Sequence, residues 1–234
     1  MSERLLVPSI DTRLGALLEI NRRKDEDDAS RVKATKARPA ITISREFGCE
    51  AFPMAECLKG QMEKMTGQEW VVMDKSLLEE VARHHNLSEK ILHGLGEKSR
   101  ILDEMLATFS PRWKSEKDYF RLLCKQMFSL AEKGNVIIVG RGSAIVTQHL
   151  KNCYHFRMFA SPAFKVHSIA KRLGVSEAEA ESYIDKKQHQ RDAFIRDFLD
   201  QDARDMRFYN MIFNNDKNPP QRIAQTIAGY VTSV

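Results

Sequence analysis

The stretch AITISREFGCEAFPMAECLKGQMEKM (40–65) joins a short β-branched run to a polar break and then to apolar residues at helical spacing. Residues 40–44 (AITIS) predict a buried strand, because β-branched residues pack well on a pleated surface. Apolar residues then recur every three or four positions, which predicts an amphipathic helix. These residues are Met54, Cys57, Leu58, Met62 and Met65. The segment therefore predicts a strand, a loop and a helix.

Four further apolar runs are each followed by a helical pattern. They are WVVMD (70–74), VIIVG (136–140), YHFRMFA (154–160) and YNMIFNN (209–215). Strands that alternate with helices form parallel sheets, because each crossover connection places a helix against a sheet face. The sequence therefore predicts an α/β fold with a five-stranded parallel sheet, helices on both faces and a ligand site at the carboxyl ends of the strands.

Two long segments between predicted strands carry helical spacing without a strand pattern. Residues 75–133 predict a helical insertion between the second and third strands. Residues 176–208 predict a second helical segment, which Ser176 and Glu179 begin with a capping box. We expect both segments near the ligand end of the sheet, within a folded domain that covers residues 39–234.

Residues 1–38 differ in composition from the rest of the chain. Apolar positions in residues 9–20 fall on one stripe, which predicts a short amphipathic helix. Residues 21–38 carry mixed charge and almost no large apolar side chain, which predicts a solvated linker. The helix either docks on its own domain or binds a protein partner or a second copy of the chain, and the sequence leaves both alternatives open.

The composition excludes several classes of protein. The 234 residues are 42% hydrophobic and 29% charged, with 11 Gly and 7 Pro, which excludes collagen-like and wholly disordered chains. No window approaches the roughly 20 apolar residues that cross a bilayer, and the first residues lack the apolar core of a signal peptide. We therefore expect a cytoplasmic protein without membrane association.

The patterns of charge, cysteine and histidine limit the partners. The chain has 37 basic and 32 acidic side chains, and this excess is spread thinly, whereas a nucleic-acid binder concentrates positive charge on one face. We therefore expect no nucleic-acid partner and retain phosphorylated small molecules. The four cysteines form no C-x-x-C pair, and His84, His85 and His93 form no ligand motif, so we expect neither disulfides nor a metal site.

Five segments, read together, resemble the cytidylate kinase-like family, relatives of the P-loop nucleoside monophosphate kinases. They are ITISREFG (41–48), VMDKSLLEEVA (72–82), VIIVGRGSAIV (136–146), RLGVSEAEAESYIDK (172–186) and RDAFIRDFLDQDARDMRFYNMIFNN (191–215). The resemblance spans roughly residues 40–232. It implies a P-loop nucleotide-kinase-like fold whose helical insertion is residues 75–133 and whose mobile lid is residues 176–208.

The resemblance also implies the site residues and the cofactors. The phosphate loop at 45–53 includes Arg45, Gly48, Cys49, Glu50 and Ala51. The acceptor side lies around Asp74 and Arg141. The catalytic residues are the lid arginines Arg191 and Arg196, which would neutralise the transferring phosphate. An active member would use ATP or GTP with Mg²⁺ and an acceptor such as a nucleoside monophosphate.

The loop departs from the phosphate-binding motif G-x-x-x-x-G-K-[ST] at every signature position. Arg45, Glu50, Ala51 and Phe52 stand where the motif has its two glycines, lysine and hydroxyl residue. Loss of the lysine removes a charge-assisted contact of about 1.5–3 kcal/mol. We expect Glu50 to occupy the positive end of the helix dipole, where phosphate would bind. Both changes disfavour phosphate binding, and Arg45 would compensate for them if it folds back over the loop.

Three other residues each have a structural alternative to a role in the site. Arg141, between two glycines, suits recognition of phosphate or carboxylate, or it braces the loop. Asp74 either orients a nucleotide or caps the helix that begins at Lys75. Arg196 lies four residues after Asp192, so the two side chains can pair on the helix surface instead of reaching a ligand.

Two hypotheses of function follow. The first is a phosphotransferase that moves a nucleotide γ-phosphate to a small acceptor. The second is a catalytically inactive module of the same fold that acts in ligand sensing or protein interaction. The altered loop favours the second hypothesis, whereas Arg141, Arg191 and Arg196 favour the first.

Overall fold

A computed structural model describes residues 38–83 and 114–233. The predicted N-terminal helix, the charged linker before Arg38, the three histidines and residues 84–113 of the predicted insertion lie outside the described residues. Within the described residues no helix is long and apolar enough to span a bilayer.

A five-stranded parallel sheet forms the centre of the domain, as the sequence predicts. Its strands are β1 (Ala40–Arg45), β2 (Val71–Met73), β3 (Val136–Val139), β4 (Cys153–Phe159) and β5 (Met211–Asn214). The order across the sheet is β2-β3-β1-β4-β5, and every neighbouring pair is parallel. From β1 the chain runs to the edge strand β2, returns to β3 beside β1, and then crosses to β4 on the other side of β1. The carboxyl ends of β3, β1 and β4 therefore lie next to one another.

Seven α-helices and one 3₁₀ turn are described around the sheet. They are α1 (Ala51–Thr66), α2 (Lys75–Arg83), α3 (Lys114–Lys133), α4 (Ser143–Val146), α5 (Pro162–Leu173), α6 (Glu177–Leu199) and α7 (Pro220–Thr232), with the turn at Met206–Phe208. Helix α1 begins three residues before its apolar spacing does, because Pro53 in the first turn needs no N–H partner. Helix α4 is a single turn that ends at Val146.

Apolar side chains cover both faces of the sheet, which is why the strands appear in the sequence as apolar runs. On one face, Ile41, Ile43 and Phe156 are fully buried against α1 and α7. On the other face, Met73 and Ile138 are fully buried against α2, α3 and the end of α6. Helix α6 is thereby held above the carboxyl ends of the strands.

The predicted capping box at the start of α6 is confirmed. The Ser176 hydroxyl accepts a hydrogen bond from the Glu179 N–H, and the Glu179 carboxylate accepts one from the Ser176 N–H. These bonds satisfy donors that a helix N-terminus would otherwise leave unpaired. They define where the long helix begins.

We expect Ser176→Ala to destabilise the protein by about 1 kcal/mol, because the variant loses the hydroxyl acceptor at the N-terminus of α6. For a domain of this size the melting temperature would fall by about 2–4 °C. Urea unfolding followed by circular dichroism measures the change. Thr226→Ala, which removes an exposed hydroxyl within α7, is the control and is expected not to destabilise. A loss of stability in both variants would contradict the assignment.

His155 lies buried in β4, where it pairs with Thr42 of β1. Its Nδ1 is 2.8 Å from the Thr42 hydroxyl oxygen, and its backbone N–H donates to Asn210 Oδ1 at 2.7 Å. Burial lowers the pKa of His155 to about 4, because a charged imidazole is poorly solvated there.

This histidine is expected to make stability depend on pH. Because the folded pKa lies below the unfolded value of about 6.5, its contribution is complete above that pH and is lost as the pH falls towards 4. The loss would be up to about 3 kcal/mol. Urea unfolding of wild type and His155→Gln at pH 7 and pH 4.5 tests this, with the exposed His149→Gln as the control. Equal pH dependence in wild type and His155→Gln would contradict it.

Candidate functional site

A cavity of about 400 Å³ opens where β1, β3 and β4 end and α6 crosses above them. Its wall is strongly basic, with six basic side chains and one acidic side chain. The basic residues are Arg45, Lys75, Arg141, Arg157, Lys187 and Arg191, and the acidic one is Asp192. Positive potential within a concave site attracts small anions. The cavity is therefore suited to a negatively charged ligand.

Arg45, at the end of β1, directs its guanidinium at the loop after β3. A Cβ atom on Gly140 would overlap Arg45 Nη1, so only glycine permits this approach. Burial is the largest cause that lowers the pKa of Arg45 to about 9; the nearby charges of Arg191 and Arg141 contribute to this shift, and Asp74 opposes it. Within the described part of the chain, the Arg45 side chain makes no hydrogen bond or ion pair.

Arg191 lies on α6 at the opposite wall. Its guanidinium carbon is 4.7 Å from the centre of the Phe47 ring, and no ion pair to it is formed by the described residues. Burial is the main cause that lowers the pKa of Arg191 to about 10. Arg45 and Arg191 are therefore two cations that share one cavity, and neither forms an ion pair with a carboxylate of the described residues.

The second predicted catalytic residue, Arg196, lies outside the cavity. Its side chain is 64% exposed and its Nε is 3.6 Å from Asp197. The predicted pair between Asp192 and Arg196 is wrong, because Asp192 instead accepts a hydrogen bond of 2.8 Å from Gln188 Nε2, one turn earlier. The structure thus brings only one of the two predicted lid arginines to the site.

Of the two predicted acceptor-side residues, Arg141 lines the cavity and Asp74 does not. Arg141 pairs with Glu79 of α2, and its guanidinium carbon is 4.6 Å from the centre of the Phe194 ring. Burial lowers its pKa. Asp74 Oδ1 accepts a 2.9 Å hydrogen bond from the Leu77 N–H, so the predicted cap of α2 is confirmed.

At positions 47, 49 and 50 of the predicted phosphate loop, the backbone N–H groups are engaged within the protein. The Phe47 N–H donates to Gln188 Oε1 at 2.8 Å, and the Glu50 N–H donates to Asn215 Oδ1 at 2.9 Å. The Cys49 N–H donates to a backbone carbonyl at 3.4 Å. A phosphate cradle depends on N–H groups that point at the ligand. In this loop, the side-chain amide oxygens of Gln188 and Asn215 accept two of these hydrogen bonds in place of phosphate oxygens.

The side chains of this loop do not form the predicted cradle either. Glu50 makes no side-chain cap on α1, which begins at Ala51. Gly48 packs against Lys165 of α5, and burial raises the pKa of the Cys49 thiol to about 12. Of the predicted loop residues, Gly48, Cys49, Glu50 and Ala51 do not line the cavity. Arg45 does not fold back over the loop as considered above, because its guanidinium lies against Gly140.

The loop residues do not fit a Mg²⁺-bound nucleoside triphosphate. Phe52 stands where the motif supplies a metal-binding hydroxyl, and residues 45–53 contain no lysine. Two loop N–H groups that could hold phosphate oxygens, those of Phe47 and Glu50, are engaged with Gln188 and Asn215. Among the described residues, no group of three or more His, Cys, Asp or Glu side chains is placed to hold a metal ion.

Sequence reasoning missed Arg157, which is a buried residue of the cavity wall. Its side chain is 6% exposed, and its Nη1 donates to Ser44 Oγ at 3.2 Å and to the Ala203 carbonyl at 2.8 Å. The signal was present in the sequence, since an arginine interrupts the apolar strand YHFRMFA and buried charges are rare. Tyr183 and Lys187 were also missed, because they belong to a helix with an ordinary charged pattern.

Comparisons with known proteins agree with this fold. A structure of an uncharacterized protein from Eubacterium ventriosum is 19% identical, with a TM-score of 0.62 over 84% of this chain and 99% of that chain. Shikimate kinase from Bacteroides thetaiotaomicron is 13% identical, with a TM-score of 0.45 over 83% and 98% of the two chains. A search of the curated proteins found no match.

The family assignment rests on the sequence match together with the fold. The model of the cytidylate kinase-like family matches residues 40–217. This range begins with β1 and includes β5, so it covers the whole parallel sheet, the loop after β1 and the basic cavity. The chain therefore belongs to the cytidylate kinase-like family.

Proposed function

We propose that this protein binds a phosphorylated small molecule, with a nucleoside monophosphate as the first candidate, in the basic cavity. We further propose that it acts as a ligand-binding member of the family rather than as a phosphotransferase. The observation that carries the proposal is the pair of cations, Arg45 and Arg191, that face one cavity without a carboxylate partner among the described residues.

The charge of the cavity supports a phosphoryl group as the ligand. Buried cations without a partner are costly, because the protein interior solvates them poorly. A phosphate oxygen that accepts hydrogen bonds from a guanidinium gains charge-assisted and often bidentate contacts. The positive charge is collected inside a cavity rather than along an outer face, which favours a small molecule over a nucleic acid.

The phosphate loop supports the non-catalytic part of the proposal. A triphosphate could bind to the Phe47 and Glu50 N–H groups only after their hydrogen bonds to Gln188 and Asn215 had been broken. Breaking each bond costs free energy, and a glycine-rich loop whose N–H groups are free does not have this cost. The cavity can therefore bind a monophosphate while the loop disfavours a triphosphate.

Phosphoryl transfer remains the second candidate, and one observation favours it. Arg191 of the lid helix lines the same cavity as Arg45 and Arg141, and phosphoryl transfer depends largely on positioned positive charge. This candidate predicts Mg²⁺-dependent formation of a phosphorylated product from ATP or GTP, whereas the proposed function predicts none.

Thermal-shift and calorimetric titrations of the full chain with CMP, dCMP, UMP, AMP, GMP, ATP and GTP, each with and without Mg²⁺, test the proposal. A ligand that prefers the native state raises its stability, by about 2.7 kcal/mol at a hundredfold excess over Kd. We expect a monophosphate to bind without Mg²⁺. Tight Mg²⁺-dependent binding of ATP or GTP, followed by turnover, would support the second candidate. No binding by any ligand would refute both.

A further inference from the structure

We infer that Arg157 forms a second anion subsite in the basic cavity, and that the ligand carries two phosphoryl groups. This inference rests on the proposed function and names the class of ligand more closely. It assigns a binding role to a strand residue that neither the sequence motifs nor the phosphate loop includes.

Arg157 is held rigidly at the wall of the cavity. Its backbone is in register with Ser44 across the β1–β4 pair, and one guanidinium nitrogen, Nη1, bridges Ser44 Oγ and the Ala203 carbonyl. Within the described residues, Nε and Nη2 make no hydrogen bond, and neither is a fully buried orphan. These two donors are therefore left for a ligand in the cavity that Arg157 lines.

A purely structural role does not account for an arginine at this position. Bridging a hydroxyl and a carbonyl requires only a neutral donor, whereas a guanidinium adds a buried charge with a desolvation cost. No acidic side chain of the described residues forms an ion pair with Arg157. The adjacent Tyr209 ring, with its centre 5.8 Å from the guanidinium carbon, offers only weak compensation. Asp202 interacts with Arg157 only at a distance, because its carboxylate already pairs with Arg204. An anionic ligand group would compensate the charge.

Arg157 is separate from the cluster that would bind the first phosphoryl group. Arg45, Arg141 and Arg191 lie close enough that the charges of the other two lower the pKa of Arg45. Arg157 lies on β4, on the opposite side of β1 from β3 and from the Gly140 loop that the Arg45 guanidinium contacts. The cavity therefore holds two positive regions, the three-arginine cluster at the Gly140 loop and Arg157 beside Tyr209.

The amount of positive charge also exceeds what one phosphoryl group balances. A phosphomonoester carries a charge of about −1.5 to −2 at neutral pH. Arg45, Arg157 and Arg191 are unpaired among the described residues, and Lys187 adds a further cation to the wall. Glu79 already pairs with Arg141, and Asp192, the one acidic side chain of the wall, offsets a single positive charge. A second phosphoryl group would balance the remaining charge.

Calorimetric titrations of the full chain with matched ligands test this inference. The ligands are CMP, CDP and cytidine 3′,5′-bisphosphate, the three corresponding adenosine compounds, inorganic phosphate and pyrophosphate. All titrations are made without Mg²⁺ and at constant ionic strength. The 5′-diphosphates place two phosphoryl groups next to each other, whereas the 3′,5′-bisphosphates separate them, so the panel distinguishes the two arrangements.

We expect at least one compound with two phosphoryl groups to bind about tenfold to a hundredfold more tightly than its monophosphate counterpart. Arg157→Gln would remove this gain, so that ligands with one and with two phosphoryl groups would bind the variant with similar affinity. Arg157→Lys, which keeps the charge, would retain part of the gain. Arg222→Gln, which removes an equal charge from the exposed surface of α7, is the control and would retain all of it.

Two results would overturn the inference while leaving the proposed function standing. One is equal affinity for ligands with one and two phosphoryl groups. The other is a gain that persists in a folded Arg157→Gln variant, with folding checked by its unfolding transition. If no phosphorylated compound binds wild-type protein, the proposed function fails and the inference fails with it.

Discussion

Replacing Arg45 by methionine is expected to stabilise the ligand-free protein and to weaken its binding of phosphorylated ligands. The pKa of Arg45 lies near 9 in the folded protein and near 12.5 in an unfolded chain. Because the folded value is the lower one, the native state disfavours the charged guanidinium at every pH below about 9. This destabilisation is relieved only as the pH rises from about 9 towards 12.5.

At neutral pH the methionine variant loses this cost, since it carries no charge at position 45. One pKa unit corresponds to about 1.4 kcal/mol, so we expect a stability gain of more than about 1 kcal/mol. The melting temperature would rise by at least about 2–4 °C. Loss of a charge-assisted contact to phosphate would weaken ligand binding about tenfold to a hundredfold.

Differential scanning calorimetry and ligand titration of the same samples measure both effects of Arg45→Met. Arg222→Met makes the same substitution on the exposed surface of α7 and controls for the general effect of an added methionine. A destabilised Arg45→Met protein would show that Arg45 has an important structural partner. Unchanged ligand affinity would remove Arg45 from the site.

Gly140→Ala is expected to damage the site more than its small size suggests. The backbone at Gly140 has a φ of +83°, where an L-residue with a Cβ costs about 1–2 kcal/mol. The new methyl group would also overlap the Arg45 guanidinium. The variant must therefore either displace Arg45 or shift the loop that carries Arg141, and both changes would weaken ligand binding about tenfold or more.

Gly174→Ala provides a matched control for this substitution. Gly174 has a φ of +68° at the end of α5, and a Cβ there would meet nothing within 4 Å. Both variants carry the backbone cost, but only Gly140→Ala adds the overlap. We expect Gly174→Ala to lose about 1 kcal/mol of stability and to keep full ligand affinity. Equal affinities in the two variants would contradict the assigned contact between Gly140 and Arg45.

The features that the sequence predicts best are those with a local physical cause. Parallel strands buried on both faces are apolar along most of their length, so all five were visible as runs. The capping box at Ser176 and the cap at Asp74 depend on groups three residues away. Such short-range features can be recognised without knowledge of the tertiary structure.

The candidate site was predicted only in part, because its decisive contacts join distant segments. Gln188 and Asn215 reach loop residues that are 141 and 165 positions away in the sequence. No local pattern shows that Gln188 of α6 accepts a hydrogen bond from a backbone N–H of the predicted phosphate loop. Arg196 has the same residue type as Arg191 but lies on the exposed side of α6, and the sequence does not distinguish the two sides for a ligand that is not yet known.

The altered loop and the retained arginines have one physical explanation in this structure. The motif residues that hold a triphosphate are replaced, and two backbone donors of the loop are engaged with Gln188 and Asn215. Arg45, Arg141 and Arg191 still converge on one cavity. We infer that recognition of a phosphoryl group and cradling of a triphosphate are separable in this fold.

Calorimetric titration of wild-type and Arg45→Met protein with the five nucleoside monophosphates, alongside ATP with Mg²⁺, tests this account most directly. The account predicts that a monophosphate binds the wild type without Mg²⁺, that Arg45→Met weakens this binding at least about tenfold, and that ATP binds weakly or not at all. Tight Mg²⁺-dependent ATP binding without any monophosphate binding would contradict it, because the loop would then cradle phosphate and the cavity would not.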